Sequence, residues 1–207
     1  MATENADLRR VGGTPLDEVA FTVLDLETTG GAPPEHKITE IAAYRLQALH
    51  IVDEFVTLVD PERQIPAFIT GLTGISREMI NGSPPSREVL PELLRFVGDS
   101  VVVAHHSQFD RRFLENELAL AQLPPLNNTD LCTSRLARRI LPWLPSKSLG
   151  SLAVFFGIEI GDRHRAADDA LATCRLLVVF LTYLRHRGIA SLEDVLLFQY
   201  GELDYDR

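Results

Sequence analysis

Cysteine and long apolar segments are both scarce in this chain. The two cysteines, Cys132 and Cys174, are far apart and form no CxxC pair, which argues against a disulfide framework or a cysteine-based zinc site. The longest apolar run, 176–181, is much too short to cross a bilayer. The amino-terminal residues lack the apolar stretch of a secretory signal. We therefore expect reduced thiols, a cytoplasmic location and no membrane partner.

Positive charge is scarce as well. The chain has 20 Lys and Arg against 29 Asp and Glu, which gives a formal net charge of -9. Proteins that coat nucleic acid through their surface charge are usually basic, so any nucleic acid must be held locally, with help from cations. The 13 Gly and 12 Pro are near average usage, which excludes collagen-like and low-complexity classes. With 207 residues, 45% of them hydrophobic, the chain is long enough to bury the core of one domain.

The predicted elements change character along the chain. Strand-like runs come first, a long loop opens at Asp60-Pro61, and helices then alternate with short strands. Strands are predicted at 19–24, 38–46, 51–59, 100–104 and 127–130, and helices at 86–96, 108–120, 131–141, 148–156, 166–187 and 192–198. This order predicts an α/β fold with a mixed five-stranded sheet flanked by helices. We expect a flexible leader at 1–17, one domain at 18–190 and an acidic extension at 191–207.

Acidic side chains and one histidine stand where apolar elements end or begin. Asp25 and Glu27 close the first strand and, being two residues apart, point to the same face. Asp110 follows the second apolar strand, and Asp169 opens the long helix after His164. Like charges side by side at the end of an apolar strand are unfavourable unless a cation or a proton joins them. A solvent-facing strand end and acids that complement helix dipoles explain the same residues, so the pattern alone leaves both interpretations open.

Taken in order and spacing, several sequence blocks resemble one nuclease family. The blocks are Asp25-Leu26-Glu27-Thr28-Thr29-Gly30, Ile38-Thr39-Glu40-Ile41, Leu72-Thr73-Gly74-Ile75, Ala104-His105 with Phe109-Asp110, and His164-Arg165-Ala166 with Asp168-Asp169. Together they resemble the DEDDh 3′–5′ exonucleases, the DnaQ-like family that includes the proofreading epsilon subunit of bacterial DNA polymerase III. The resemblance covers about 21–184 and implies a ribonuclease H-like fold for the predicted domain.

The resemblance also implies a role for individual residues. Four of them fall on the family's metal-binding carboxylates, one on its general base, and four where relatives hold or wedge the terminal nucleotide. These are Asp25, Glu27, Asp110 and Asp169 for the metals, His164 for the base, and Thr28, Leu72, Thr73 and Phe109 for the substrate. Asp168 is off the pattern. The family's usual His-Asn-Ala or His-Asn-Gly reads His105-His106-Ser107 here, which leaves the catalytic set intact but not the usual Asn.

Such a residue set suits phosphodiester hydrolysis. Two divalent cations ~4 Å apart bind the phosphate, lower the pKa of a water and stabilise the leaving oxygen. Carboxylate oxygens suit Mg²⁺ or Mn²⁺, and an imidazole with an ordinary pKa near ~6.5 accepts the proton of the attacking water. The resemblance therefore implies release of nucleoside 5′-monophosphates from nucleic acid 3′ ends, single-stranded DNA or frayed ends first. A DNA polymerase subunit is a further expected partner.

Other functions fit parts of the same pattern. A catalytically silent nucleic-acid-binding module of a replication or repair assembly would share the fold, but it would not need every catalytic-type residue. A ribonuclease H or integrase-like endonuclease would lack the block from His164 to Asp169. An exonuclease directed at RNA would use the same site. The face shared by Arg135, Arg138 and Arg139 fits either phosphate contact or a solvated basic surface.

Overall fold

A mixed sheet lies at the centre of the computed structural model, which describes residues 13–161 and 164–205. The strands are β1 (Phe21–Thr28), β2 (Ile38–Gln47), β3 (His50–Leu58), β4 (Val101–Ala104) and β5 (Asp130–Cys132). Their order is β3-β2-β1-β4-β5. β2 is antiparallel to both β1 and β3, whereas β1, β4 and β5 are parallel. The predicted α/β fold with a mixed five-stranded sheet is confirmed.

Connection lengths explain why the sheet is mixed. Gln47 pairs with His50, so Ala48 and Leu49 alone form the turn between β2 and β3, and both have positive φ angles of 47° and 62°. Two-residue turns with positive φ match the twist of an antiparallel hairpin. A parallel pair instead needs a long crossover, and one helix, Gln108–Leu120, fills the crossover between β4 and β5.

The helices agree with the prediction except for one additional helix and shifts of one or two residues at several ends. They are α1 (Ala67–Thr73), α2 (Ser86–Val97), α3 (Gln108–Leu120), α4 (Thr133–Ile140), α5 (Leu149–Phe156), α6 (Ala166–His186) and α7 (Leu192–Tyr200). We expected a long loop opening at Asp60-Pro61, and α1 forms within it. It has 7 residues, of which only Ile69 and Thr73 are buried, and a helix this short shows no clear period in the sequence. The predicted strand at 127–130 is shifted to Asp130–Cys132. Within the described residues, none of the helices combines the length and apolarity needed to cross a bilayer.

Apolar side chains cover both faces of the sheet. On one face, Phe21 and Val23 of β1 join a buried cluster formed with α4, α5, α6 and α7. On the other face, Leu24 and Leu26 join a second cluster formed with α2 and α3. Alternate residues of β1 thus enter opposite layers, as the period of a strand requires. This alternation decides which face receives the acidic residues at the end of β1.

Chain segments at both ends take part in the first cluster. Leu16 is 1% exposed, and the amide of Leu192 donates to the carbonyl oxygen of Thr14 at 3.0 Å. Val195 and Phe198 of α7 are fully buried. The predicted leader and acidic extension lie partly outside the described residues, at 1–12 and 206–207, and the boundaries of leader, domain and extension stay a prediction.

Candidate active site

The candidate site lies where β1 and β4 end. These strands are parallel, with Val23 opposite Val103, so their carboxyl ends meet at one edge of the sheet. β1 continues past this pair to Asp25 and Glu27, and α3 begins after β4 and carries Asp110 in its first turn. Asp110 is buried, at 3% exposure. Sheet topology thus brings together acids that are distant in sequence.

The second half of the site comes from the opposite layer. Asp25 and Glu27 alternate with Leu24 and Leu26 and therefore share the face of β1 that α6 covers. The register with β2 shifts between Glu27 and Thr28. Irregular pairing of this kind re-aims side chains and is common beside active sites.

Glu27, His164 and Asp169 form the tightest group of candidate ligands. One ligand atom from each of these residues lies within 4.8 Å of the others. The backbone amide of His164 donates to Oδ2 of Asp169 at 3.1 Å, and the amide of Asp169 donates to the carbonyl oxygen of Arg165 at 3.0 Å. His164 has a φ of 64°, in the left-handed region. The turn before α6 and the first turn of α6 therefore place the imidazole of His164 and the carboxylate of Asp169 beside Glu27 of β1.

The acids of the site resist ionisation. Burial, and then the neighbouring charge of Asp110, raise the pKa of Asp25 well above its usual range. Burial also raises the pKa of Asp110, although hydrogen bonds with the backbone of Asp110 and Leu26 oppose the shift. The pKa of Glu27 is raised to about 8, first by burial and then by the charge of Asp169. Burial is the largest cause for all three groups, and for Asp25 and Glu27 the charges of the neighbouring acids raise the pKa further.

The donor set fits divalent cations. Carboxylates gathered in one site repel one another unless positive charge lies between them, and a bound cation favours their ionised forms. Asp25, Glu27, Asp110 and Asp169 offer carboxylate oxygens, which suit hard cations such as Mg²⁺ or Mn²⁺. The thiols of Cys132 and Cys174 are buried and belong to no candidate metal group among the described residues.

The two histidines after β4 have structural partners. Nε2 of His105 lies 2.9 Å from the carbonyl oxygen of Lys147, and Nδ1 lies 2.9 Å from Oγ1 of Thr133. Nδ1 of His106 lies 3.1 Å from Oγ of Ser134, and His106 has a φ of 66°. Asn and His are both enriched at positive φ, which gives a physical reason why His106 replaces the usual Asn.

The predicted substrate residues fall into two groups. Leu72 is 51% exposed and Phe109 is 37% exposed, with its ring against Phe113 at a centroid distance of 5.0 Å. Thr28 and Thr73 are buried instead. The hydroxyl of Thr28 donates to the carbonyl oxygen of Gly30 at 2.7 Å, and that of Thr73 donates to the carbonyl oxygen of Ile69 at 3.0 Å. The apolar pair is therefore available to bases, and the threonines shape local backbone.

Most of the predicted basic face is occupied by the chain itself. Arg135 lies over the ring of Tyr200, and Arg139 donates to the carbonyl oxygen of Leu203 and pairs with Asp204. Arg138 is exposed, and its charge adds to burial in lowering the pKa of His106. Arg138 is therefore the arginine of this group best placed to meet a phosphate near the site.

The sequence analysis gave no role to Glu40, which contacts the turn that carries His164. Glu40 lies opposite Glu27 in the register of β1 and β2, and both of its carboxylate oxygens bind Arg165. An acidic residue inside the buried run Ile38–Ile41 was a signal for such a role. Asp168, left out of the predicted set, faces Gly161, where an added Cβ would lie 2.5 Å from Oδ1 of Asp168.

Comparison with known proteins shows the family to which the chain belongs. The RNase_T family model, described as an exonuclease, matches residues 22–177. The chain belongs to this exonuclease family. It is 37% identical over 185 residues to DNA polymerase III subunit epsilon of Aquifex aeolicus, covering 89% of this chain and 86% of that one. The domain is thus a 3′–5′ exonuclease domain of the DnaQ-like DEDDh type, as the sequence blocks predicted.

One further relative and one solved structure show how much of the chain is similar to known proteins. A putative bifunctional exonuclease/endonuclease protein of Mycobacterium tuberculosis is 40% identical over 206 residues, covering 92% of this chain, and this chain spans 32% of that protein. The solved structure of Exonuclease X in complex with 5′ overhanging duplex DNA aligns with a TM-score of 0.69 and 26% identity, over 86% of this chain and 99% of that chain. The predicted ribonuclease H-like architecture is confirmed. Exonucleases of this family use divalent metal ions.

Proposed function

We propose that this exonuclease domain removes nucleotides from the 3′ end of nucleic acid and releases nucleoside 5′-monophosphates. The observation that carries the proposal is the group formed by Glu27, His164 and Asp169, whose ligand atoms lie within 4.8 Å of one another. This group joins a general base to the carboxylates of a buried acidic site, which is the combination that metal-assisted phosphodiester hydrolysis needs.

Two divalent cations, Mg²⁺ or Mn²⁺, would be held by Asp25, Glu27, Asp110 and Asp169. When bound, they neutralise these acids and supply the charge that stabilises the attacking water and the leaving oxygen. The chain itself contributes the geometry. The backbone amide of His164 is held by Asp169, and the imidazole beside Glu27 accepts the proton of the attacking water.

Leu72 and Phe109 would read the 3′ end. Both side chains are exposed, although large apolar residues are usually buried, and contact with an unpaired base would cover them. Stacking against a side chain is worth roughly 1–3 kcal/mol per base and tolerates any sequence. Thr28 and Thr73 would act indirectly, because their hydroxyls fix the local backbone beside the bound nucleotide. This arrangement suits single-stranded DNA and frayed ends.

DNA is the substrate that the relatives favour. The Aquifex aeolicus relative is named as a DNA polymerase subunit, and the Exonuclease X structure contains DNA. The same names make a DNA polymerase subunit the protein partner that we propose. Co-elution with a bacterial replicative polymerase on gel filtration would support that partner, and separate elution would count against it. A cytoplasmic location stays a prediction.

One degradation experiment tests the reaction. Single-stranded DNA labelled at either end, duplex DNA and RNA are incubated with the protein and Mg²⁺ or Mn²⁺, with EDTA as the control. We expect mononucleotides from the 3′-labelled strand at once, a shrinking ladder from the 5′-labelled strand, and no product in EDTA. Cleavage of circular single strands would contradict an exonuclease, faster loss of RNA would make RNA the substrate, and no cleavage with either metal would favour a silent binding module.

A further inference from the structure

A buried ion pair lies directly behind the candidate active site. The carboxylate of Glu40 in β2 binds the guanidinium of Arg165 through two hydrogen bonds, 2.6 Å from Nη2 to Oε1 and 3.1 Å from Nε to Oε2. The side chain of Glu40 is 1% exposed and that of Arg165 is 31% exposed. Bidentate pairs of this kind fix the relative orientation of both partners. Neither residue has a part in the chemistry proposed above.

Glu40 holds the backbone of the same turn as well. The amide of Ala166, the first residue of α6, donates to Oε2 of Glu40 at 2.8 Å. Amides in the first turn of a helix have no partner within the helix, so Glu40 caps α6 from a neighbouring strand. A single carboxylate thus fixes both the side chain of Arg165 and the start of α6.

Glu40 thus holds the segment that carries two residues of the site, His164 before α6 and Asp169 in its first turn. His164 precedes Arg165 and adopts a φ of 64°, a strained conformation for a non-glycine residue that persists only when its surroundings impose it. Asp169 lies one turn into α6 and accepts from the amide of His164. On the other side, Glu40 lies opposite Glu27 across the β1–β2 ladder. The pair therefore ties the two halves of the site together.

We propose that Glu40 and Arg165 are positioning residues that set the His164 imidazole and the Asp169 carboxylate at their working distance from Glu27. The inference rests on the proposed function of His164. In this proposal neither residue touches the substrate, and both act by holding the turn that precedes α6. Loss of Arg165 leaves the carboxylate of Glu40 buried without its counter-charge, and loss of the Glu40 charge removes the bidentate partner that orients the guanidinium of Arg165. In either case the turn relaxes and the imidazole moves away from the attacking water.

If the Glu40–Arg165 pair had only a structural role, its loss would have a different effect on turnover. Such a pair would lower the melting temperature and leave turnover unchanged in the protein that remains folded. Lys37 and Glu117 supply the matched control, because their ion pair is 2.8 Å long and the side chain of Glu117 is 8% exposed. Glu117→Gln removes a similarly buried charge from α3 without touching the turn before α6.

The experiment compares Glu40→Gln, Arg165→Lys and Glu117→Gln in the full chain, well below each melting temperature and at saturating Mn²⁺. Outer-shell substitutions at metal sites typically cost about 10–100-fold in activity or metal affinity. We expect that loss in kcat for Glu40→Gln, with KM for the oligonucleotide nearly unchanged. Arg165→Lys keeps the positive charge but cannot form both hydrogen bonds to Glu40, so its kcat should fall by less. Glu117→Gln should keep the kcat of the parent.

Two further readouts separate this inference from the proposed function. In a His164→Ala background, Glu40→Gln should lower kcat by a smaller factor than in the parent, because one of the two groups that it positions is gone; an equal factor in both backgrounds would overturn the inference. In the metal-free protein, the imidazole signals of His164 in a long-range ¹H–¹⁵N spectrum should move in Glu40→Gln and not in Glu117→Gln; unmoved signals would also overturn it. Full activity of His164→Ala would instead overturn the proposed function itself.

Discussion

Nε2 of His105 donates to the carbonyl oxygen of Lys147 across 2.9 Å and thereby ties the end of β4 to the loop before α5. A carbonyl only accepts, so Nε2 carries the proton and Nδ1 accepts from the hydroxyl of Thr133 in the neutral ring. Burial, followed by the charge of His106, lowers the pKa of His105 from 6.5 to about 4. His105 is therefore a structural residue rather than a second base.

This pKa predicts how the role of His105 depends on pH. A histidine whose folded pKa is depressed stabilises the fold fully above its unfolded pKa of 6.5, and this stabilisation is lost as the pH falls through about 4. His105→Ala should lower the free energy of unfolding by about 2 kcal/mol at pH 7, the cost of lost buried hydrogen bonds. Urea denaturation should give a smaller difference at pH 4 than at pH 7. A difference that does not change with pH would show that the ring is not held neutral.

Replacement of Asp25 should separate activity from stability. Asp25→Asn removes one of several mutually repelling acids, so the metal-free protein at pH 8 should melt at a higher temperature. A gain of about 1 kcal/mol corresponds to roughly 2–4 °C for a chain of this size. Degradation should be lost at any Mg²⁺ or Mn²⁺ concentration. A fully active Asp25→Asn would refute the assignment of Asp25 as a metal ligand.

Replacement of His164 should remove a base and not a metal ligand. His164→Ala should lower kcat by about 10²–10⁴-fold, the usual contribution of a general base. Calorimetric titration with Mn²⁺ should show nearly unchanged affinity. Because His164 lies within ligand distance of Glu27 and Asp169, the opposite outcome is also clear: recovery of activity at high Mn²⁺ would make His164 a metal ligand.

Position 106 should tolerate asparagine, which its backbone conformation favours. His106→Asn keeps a side chain suited to the φ of 66°, so the free energy of unfolding and kcat should stay near the values of the parent. His106→Ala should destabilise the fold by about 0.5–1.5 kcal/mol, because the hydrogen bond between His106 and Ser134 is lost, and should lower kcat far less than His164→Ala. Equal loss of kcat in the two alanine variants would mean that the base has been assigned to the wrong histidine.

Substrate form should affect rate through Leu72 and Phe109. A 3′ end must be unpaired to reach these exposed side chains, so single-stranded and mismatched ends should be degraded faster than paired ends of the same sequence. Leu72→Ala and Phe109→Ala should reduce this difference and raise KM, since Phe109→Ala removes base stacking worth roughly 1–3 kcal/mol and Leu72→Ala removes an apolar contact with the base. The measurement is the initial rate on three matched substrates. Equal rates on all three would remove the wedge argument and leave the metal chemistry intact.

The salt dependence of binding should be shallow. With a net charge of -9 and with Arg135 and Arg139 paired inside the molecule, few phosphates are neutralised, and the slope of log affinity against log salt is set by that number. Fluorescence anisotropy with a single-stranded oligonucleotide and the Asp25→Asn variant should give a slope of about -2 or smaller in magnitude. A slope near that of a broad basic surface would contradict this view of binding.

Local spacing in the sequence determined much of the fold and of the site. The alternation in β1 placed Asp25 and Glu27 on one face, and the helical periods located α2, α3 and α6 almost to the residue. These features depend on neighbours within a few positions, so the order of residues is enough to read them. The shift of β5 and the absence of α1 from the prediction mark elements that are too short to show a period.

Only the tertiary structure decided which distant residues meet. Glu40 and Arg165 are separated by 125 positions, and their contact depends on strand register and on how α6 packs across β1 and β2. Arg135 and Arg139 could not be assigned from their helix alone, because Tyr200 and Asp204 reach them from the carboxyl-terminal segment. The physical reason is that side-chain partners across a core are chosen by topology and packing, which leave no periodic trace in the sequence.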